Sequence, residues 1–219
     1  MPSNQKNTNL YFFIGCICSS LSAMLGGTTF VFTRALVTSL DPLVISFVRY
    51  GFTGLLFLIF FFISFKKIIF QKNDLIYMAL IGIFMFTLFP IFMALALEIT
   101  TSSRAGLLYA TMPIFTIIIA CIFKIETFSL PKLISVILAF SGVYFCLSEF
   151  IDPTAPQPIK GDFLMTIGVI SASVFTVFSG RFLKKYGNVN VLIFTLFSGS
   201  ISTMLICLLY TSPSPRDED

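Results

Sequence analysis

Histidine and tryptophan are both absent from this chain of 219 residues, and only 11% of its residues are charged. Without histidine, the sequence lacks the commonest metal ligand and the commonest general base at neutral pH. The acidic residues lie near the ends of apolar segments rather than in pairs within them. No glycine-rich phosphate-binding loop is present, which argues against an ATP-driven pump. The sequence therefore argues against a membrane-embedded enzyme, and it predicts no catalytic residue and no cofactor.

The shortage of charge also indicates where the chain resides. Soluble domains carry about 25% charged residues, whereas this sequence is 57% hydrophobic and has a mean hydropathy of +0.97. Its apolar runs follow one another, each about 20 residues long, which is the length that an α-helix needs to cross a bilayer. Open sheets cannot cross lipid with unpaired edges, and the alternating pattern of a β-barrel does not recur. We therefore predict an all-α integral membrane protein.

Five cysteines are scattered along the chain, mostly inside apolar runs: Cys16, Cys18, Cys121, Cys146 and Cys207. Thiols in such surroundings usually serve as small packing residues rather than as disulfides or metal ligands. We therefore expect no metal site. The first apolar run is longer than the core of a signal peptide and has no clear cleavage site, so we expect it to remain as the first span.

Seven membrane spans are predicted from the apolar runs and the polar breaks between them. They cover residues 10–32, 43–65, 75–97, 105–123, 130–147 and 163–182, with a seventh that begins near Val189. A polar, proline-rich link at residues 149–160 separates the fifth span from the sixth. Five predicted spans precede this link and two follow it.

Basic residues set the predicted orientation. With the N-terminus in the cytoplasm, nine basic residues fall inside: Lys6, Lys66, Lys67, Lys72, Lys124, Lys132, Arg181, Lys184 and Lys185. Four fall outside: Arg34, Arg49, Arg104 and Lys160. Because cytoplasmic loops are enriched in Lys and Arg, we expect residues 1–9 to be cytoplasmic and the protein to lie in the plasma (inner) membrane.

The end of the chain differs in character from the rest. Residues 207–217 resemble the in-frame translation of a transposase-type sequencing adapter, and a natural polar tail is the alternative. We therefore expect residues 207–219 to be an artefact and the seventh span to be truncated within the membrane.

Three stretches carry a resemblance to a known family. The first has a small-residue patch at residues 26–30, then Arg34, the turn Asp41-Pro42 and the pair Arg49-Tyr50. The second spans residues 96–144 and includes Met112-Pro113-Ile114-Phe115-Thr116 and Glu126. The third has Gly161-Asp162 and Ser179-Gly180-Arg181 at the two ends of the sixth span. In their order and spacing, these motifs resemble an EamA-type domain of the drug/metabolite transporter superfamily.

The resemblance implies ten spans in two inverted five-helix repeats. Residues 10–149 would form the first repeat, 150–160 an extracytoplasmic linker and 161–206 the start of the second repeat. A loose internal echo agrees with this division, because Arg34 and Asp41 have counterparts in Arg181 and Asn188, each 147 residues later. Five spans begin between the two copies, and an odd number of spans per repeat inverts the second copy, as in many secondary transporters.

Arg49 is the most informative candidate for a binding residue. It follows Pro42 by seven residues, so it lies about 10 Å inside the second span at a rise of 1.5 Å per residue. A charge at this depth usually faces a protein interior or a water-filled cavity. One interpretation is contact with an anion or carboxylate of the substrate. The alternatives are snorkelling to the interface and pairing with Asp41.

Glu98 and Arg104 flank the turn between the third and fourth spans. A salt bridge across this turn is one interpretation of the pair. The other makes Glu98 a protonatable gate group, because a partly buried carboxylate can hold a proton at working pH.

Small residues and a proline give two further candidates. Gly26, Gly27, Thr28 and Thr29 either let helices approach closely and hydrogen-bond or form a thin wall where threonine hydroxyls meet the substrate. Pro113 removes one backbone hydrogen bond and should bend the fourth span, either as a static kink or as a gating hinge.

Tyrosines at positions 50, 109 and 144 either line a cavity or lie at the membrane interface.

The sequence as a whole favours a secondary transporter of small metabolites, amino acids or related compounds, that works by alternating access. The alternative is a membrane receptor or assembly subunit without transport activity. The expected partners are a small-molecule substrate and the lipid bilayer, with no nucleic acid, and a homodimer is left open. The candidate substrate-binding or gating residues are Thr28, Thr29, Arg49, Tyr50, Glu98, Tyr109 and Pro113.

Overall fold

The computed structural model describes residues 3–64, 70–127, 129–149 and 155–210. Its helices are α1 (Ser3–Leu36), α2 (Pro42–Ser64), α3 (Lys72–Ile83), a π-helical segment (Phe84–Leu88), α4 (Phe89–Ile99), α5 (Ser102–Tyr109), α6 (Met112–Ile122), α7 (Leu130–Glu149), α8 (Pro158–Tyr186) and α9 (Asn188–Tyr210). Within these described ranges no residue lies in a strand. The prediction of an all-α protein is confirmed.

Each predicted span corresponds to one helix or to consecutive helical segments. The third span, Lys72–Ile99, consists of α3, the π-helical segment and α4, and the fourth, Ser102–Ile122, consists of α5 and α6. Among the described residues, six helices are long and apolar enough to cross a membrane. In α2 the corresponding apolar stretch, Pro42–Phe57, is shorter.

The link before the sixth span is shorter than the composition predicts. Residues 149–160 read as a polar connection, but α8 already begins at Pro158. Proline is well suited to the first turn of a helix, because its missing N–H has no partner to lose there. Further along the chain, α9 continues through Cys207 to Tyr210. Residues 211–219 lie outside the described ranges, so an adapter origin for the tail stays a prediction.

The helices form one bundle in which α8 and α9 contact most of the others. α8 packs against α4, α5 and α6, whereas α9 packs against α2 and α3. α1 contacts α4 and α5 at one edge, and α7 contacts α5 and α6 at another. Large apolar side chains such as Leu25, Phe52 and Leu138 are exposed on the outside of the bundle. In a bilayer this surface faces lipid tails, which is why the apolar exposure is compatible with the fold.

One end of the bundle is defined by contacts between helix termini, and we call it the Arg104 end. Near the end of α1, the Arg34 guanidinium donates hydrogen bonds to the carbonyls of Leu97 and Glu98 in the last turn of α4. The backbone N–H of Gln157, just before α8, donates to the carbonyl of Ile99 at 3.2 Å. These bonds satisfy carbonyls that a helix end leaves without partners. α1 and α4 therefore end where α8 begins.

The opposite end, which we call the Asp74 end, holds the start of α3 and the end of α8. Lys185 Nζ donates to Asp74 Oδ2 at 2.6 Å. Gly187 follows α8 with φ of +81°, a conformation that favours glycine, and α9 begins at the next residue. α1 and α8 thus run in opposite directions, and the inverted repeat stays a prediction.

α9 approaches α3 and the π-helical segment so closely that glycine is needed on both sides. A Cβ on Gly82 would lie 2.5 Å from the Thr195 carbonyl oxygen, and a Cβ on Gly199 would lie 2.4 Å from Phe86 Cβ. Lipid tails are as apolar as leucine, so helices in a membrane associate through such close packing and through interhelical hydrogen bonds. The glycines therefore set the distance between α9 and the third span.

Hydroxyl groups complete the contact between α9 and the π-helical segment. Thr87 Oγ1 donates to the carbonyl of Gly199 at 2.9 Å, and Thr203 Oγ1 donates to the carbonyl of Phe86 at 3.2 Å. π-Helical turns disturb the regular pattern of backbone hydrogen bonds, and in lipid a carbonyl without a partner is costly. Thr203 supplies a donor at this irregular turn.

We predict that Gly82→Ala destabilises the bundle by about 1–3 kcal/mol, because the new methyl group meets backbone atoms that cannot move aside. The matched control is Gly142→Ala in α7, where a Cβ would have nothing within 4 Å. Both changes improve helix propensity equally, so their difference isolates the clash. SDS titration in mixed micelles, followed by circular dichroism, measures the free energy of unfolding. Equal stability of the two variants would contradict the close contact.

Candidate functional site

A buried ion pair holds three spans together at the Arg104 end. Arg104, in the first turn of α5, donates from Nε to Asp162 Oδ1 at 3.3 Å and from Nη2 to Asp162 Oδ2. Its Nη1 donates to the carbonyl of Leu147 in α7 at 2.8 Å. The Arg104 and Asp162 side chains are only 8% and 17% exposed. One guanidinium thus fixes the starts of α5 and α8 and the end of α7 relative to one another.

This ion pair corrects the predicted salt bridge between Glu98 and Arg104. The Arg104 guanidinium is directed towards α8 and pairs with Asp162, whereas Glu98 is exposed. The carbonyl of Glu98, not its carboxylate, takes part in the contact with Arg34. The carboxylate of Glu98 lies at the rim, so the structure does not bring it into the group of residues described next.

The fourth span is broken between α5 and α6, at the position where Pro113 was expected to bend it. Ala110 and Thr111 leave the α-helical pattern, and α6 restarts with Pro113 in its first turn. Ser173 Oγ of α8 and Thr116 Oγ1 both donate to the carbonyl of Met112, at 3.2 and 2.8 Å. Side-chain hydroxyls commonly satisfy backbone groups at such breaks in membrane helices. The break leaves Tyr109 as the last residue of α5.

Tyr109 and Tyr50 lie on either side of the third span, in a layer of aromatic rings. The Tyr109 ring contacts Phe30 at 5.4 Å and Phe89 at 5.5 Å between ring centroids. The Tyr50 ring contacts Phe86 at 6.0 Å. Among the described residues neither phenol hydroxyl has a hydrogen-bond partner in the protein.

Arg49 lies beside this aromatic layer. Its guanidinium carbon is 5.1 Å from the centroid of the Tyr50 ring, a cation–π geometry. Pairing with Asp41 was one of the alternatives for Arg49. Asp41 instead accepts a hydrogen bond from the backbone N–H of Leu43 at 2.8 Å and caps α2. Within the described part of the chain, Arg49 has no ion pair. Its half-buried position argues against free extension to the interface.

These residues share one depth below the Arg104 end. Arg49 and Tyr50 follow the start of α2 by seven and eight residues, Tyr109 follows the start of α5 by seven, and Phe30 precedes the end of α1 by six. At 1.5 Å per residue, all of them lie about 9–12 Å from that end. The layer is therefore formed by side chains from different spans at the same level of the bundle.

A groove of about 900 Å³ between α1 and α5 leads to this layer. Small residues form its walls: Ser22, Gly26 and Gly27 on α1, and Ser103 and Gly106 on α5. The aromatic side chains of Phe30 and Tyr109 also line it. A Cβ on Gly26, Gly27 or Gly106 would meet nothing within 4 Å. These glycines therefore widen a space instead of allowing a close helix contact.

The small-residue patch in α1 divides into two parts. Gly26 and Gly27 line the groove, whereas Thr28 and Thr29 are not among its lining residues. Both threonine hydroxyls bond to the carbonyl of Leu25 in their own helix, at 2.7 and 3.4 Å. The structure therefore separates Thr28 and Thr29 from the tyrosine layer.

Comparison with known proteins identifies the family to which these helices correspond. Residues 13–148 match the model of the EamA-like transporter family. The chain belongs to this family. An "Uncharacterized transporter" of Archaeoglobus fulgidus (strain ATCC 49558 / DSM 4304 / JCM 9628 / NBRC 100126 / VC-16) is 26% identical over 162 residues, which cover 74% of this chain. The match spans 56% of that relative's length, and no solved structure matches the chain.

Several residues with a structural role around the aromatic layer were not predicted from the sequence. Asp162 was noted as part of a motif but not as the partner of Arg104. Ser200 of α9 donates to the carbonyl of Tyr50 at 2.8 Å and so helps to fix the aromatic layer. The run Ser198-Gly199-Ser200 inside an apolar span was a usable signal, because small and hydroxyl residues mark helix contacts in membranes. Among the described residues, no group of three or more potential ligands could hold a metal ion.

Breaking the buried pair should cost far more than breaking an exposed one. We predict that Asp162→Asn lowers the free energy of unfolding by about 3–5 kcal/mol, because it leaves the Arg104 charge buried without a counterion. Glu126→Gln is the control, since the pair of Glu126 and Lys132 is much more exposed, and it should change stability little. SDS titration gives both values. A loss for Asp162→Asn no larger than that for the control would contradict a buried, structural ion pair.

Proposed function

We propose that this chain provides the substrate-binding half of a secondary transporter that moves small metabolites, amino acids or related compounds, by alternating access. The family supports transport in general. The observation that carries the finer proposal is the layer of Arg49, Tyr50 and Tyr109, reached through the groove between α1 and α5. A binding site in mid-membrane beside a discontinuous helix is the arrangement that many secondary transporters use.

Arg49 is proposed to bind an anionic group of the substrate, such as a carboxylate. The guanidinium lies at membrane depth and is held by the Tyr50 ring rather than by an acid. A cation at this depth is costly unless it is paired or reaches water in a cavity. A substrate carboxylate would supply the missing charge and could accept two parallel hydrogen bonds from the guanidinium. The hydroxyls of Tyr50 and Tyr109 add donors next to it.

The aromatic rings are proposed to hold the remainder of the substrate. Phe30, Phe89 and Phe86 surround the two tyrosines. Ligand sites are typically lined by apolar and aromatic side chains, with a few polar groups that fix orientation. A small organic anion with an apolar portion fits this combination better than an inorganic ion or a sugar.

The orientation of the chain in the membrane is also part of the proposal. We infer that the N-terminus is cytoplasmic in the plasma (inner) membrane, so the Arg104 end faces outwards. The charge distribution supports this, because Arg181, Lys184 and Lys185 lie at the Asp74 end and basic residues favour the cytoplasmic side.

We predict that proteoliposomes containing the full-length protein accumulate or exchange a small organic anion, and that Arg49→Ala lowers the rate about tenfold or more. The reason is that a hydrogen bond to a charged group contributes about 1.5–3 kcal/mol. Radiolabelled amino acids and related carboxylates are the substrates to screen. Arg49→Lys keeps the charge and should lose less.

Lys160→Ala is the matched control for this measurement. Lys160 is exposed in the first turn of α8 at the same end of the molecule, so its removal takes away the same charge without touching the layer. Unchanged transport in Arg49→Ala, or an equal loss in Lys160→Ala, would assign Arg49 a structural role.

A further inference from the structure

At the Asp74 end, four polar groups connect α8 to the third span and its preceding residue. Lys185 Nζ donates to Asp74 Oδ2 at 2.6 Å and to Gln71 Oε1 at 2.7 Å. The Tyr186 hydroxyl donates to Asp74 Oδ2 at 2.7 Å and accepts a hydrogen bond from the backbone N–H of Gln71 at 3.3 Å. Asp74 is the centre of this cluster, since it accepts from both residues of α8.

An apolar cluster lies directly above these polar groups and closes the space between α3, α8 and α9. Its buried members are Met78, Ile81, Phe182, Tyr186 and Val191. The Phe70 ring packs on Tyr186 at 4.9 Å and on Phe194 at 5.9 Å. Met78 and Val191 are fully buried. Among the described residues, an apolar plug with a polar rim thus fills the space between α3, α8 and α9 at the Asp74 end, whereas the groove between α1 and α5 is open.

The two ion pairs that involve α8 differ in how much water reaches them. Lys185 is 45% exposed, whereas Arg104 at the opposite end is 8% exposed. Water screens an exposed pair and can replace its hydrogen bonds, so such a pair separates far more easily than a buried one. The acidic partners Asp74 and Asp162 are similarly exposed, at 18% and 17%, so the difference lies in the basic partner. Of the two pairs, the one at the Asp74 end therefore separates more easily.

We propose that Gln71, Asp74, Lys185 and Tyr186 form a latch that keeps the Asp74 end closed while the tyrosine layer is reached from the groove. Release of the latch lets α8 separate from α3, breaks the apolar plug and exposes the layer to the other side. This inference rests on the proposed transport function, because it assigns the closed gate of the same site. The latch joins the first five-span unit to the start of the second, so its release moves one unit against the other.

Accessibility of a single cysteine tests the latch without a transport assay. The full-length protein in nanodiscs, with its native cysteines replaced by serine or alanine, would carry Ser179→Cys as the reporter. Ser179 is 2% exposed and shares the buried face of α8 with Phe182 and Tyr186. A hydrophilic maleimide should label this reporter slowly in the parent. In Asp74→Asn and Lys185→Met backgrounds we expect labelling to be about fivefold faster or more.

Two controls separate gating from general loosening. Glu126→Gln breaks a pair that lies within residues 126–132 and does not join α3 to α8, so labelling of Ser179→Cys should not change. A second reporter, Ser22→Cys in the groove, should react more slowly when the latch is broken, because opening of one end accompanies closure of the other. The exchange of charges in Asp74→Lys with Lys185→Asp should restore slow labelling at position 179.

Each outcome decides the proposal. Unchanged labelling in Asp74→Asn and Lys185→Met, an equal rise in Glu126→Gln, or faster labelling at both reporters would overturn the latch. None of these results depends on transport, so a latch that behaves as expected in a protein that moves no substrate would overturn the proposed function alone.

Discussion

The close approach of α9 to the third span is the contact on which the other features of the site depend. Gly82 and Gly199 bring the two backbones together, and at that distance Thr87 and Thr203 can exchange hydrogen bonds with the facing chain. In lipid, apolar burial gives helices little reason to associate, so packing and hydrogen bonds carry the interaction. A methyl group on Gly199 would meet Phe86, and one on Gly82 would meet the backbone of Thr195 in α9. Either change would shift α9, whose Ser200 donates to the carbonyl of Tyr50.

From this contact, the site can be followed outwards through the bundle. The third span carries Phe86 and Phe89 about one turn apart, and each ring contacts a different tyrosine. Tyr109 reaches the layer because the fourth span breaks just after it, and Ser173 of α8 satisfies a carbonyl at that break. The helices before α8 thus supply the aromatic side chains and Arg49, while α8 and α9 supply hydroxyl donors to the irregular backbone.

Much of this arrangement could be predicted before the structure. The spans follow from apolar runs bounded by polar turns, and the break in the fourth span follows from Pro113. Tyr50 and Tyr109 were both among the candidates, and the structure places each against a phenylalanine of the third span. The partner of Arg104 was predicted wrongly, because sequence proximity favours Glu98 whereas Asp162 is 58 residues away in the chain. The π-helical segment Phe84–Leu88 itself has no proline or glycine. Pro90, however, follows in the first turn of α4 and cannot donate to the carbonyl of Phe86, so a signal for the irregular turn was present and was not used.

The sequence by itself determined that this chain is an all-α membrane protein, since too few polar side chains are present to cover a soluble fold and each run has the length of a span. It also determined which residues place charge and hydroxyl groups within the membrane. Only the tertiary structure decided which of them meet. Arg49, Tyr50 and Tyr109 come from different spans, and their common level depends on how far each lies from its own helix end. Thr28 and Thr29 lie directly between Gly27 and Phe30, which line the groove, yet their hydroxyls bond to the carbonyl of Leu25 in their own helix. The rotation of each helix about its own axis, which packing sets, decides which of these side chains reach the aromatic layer.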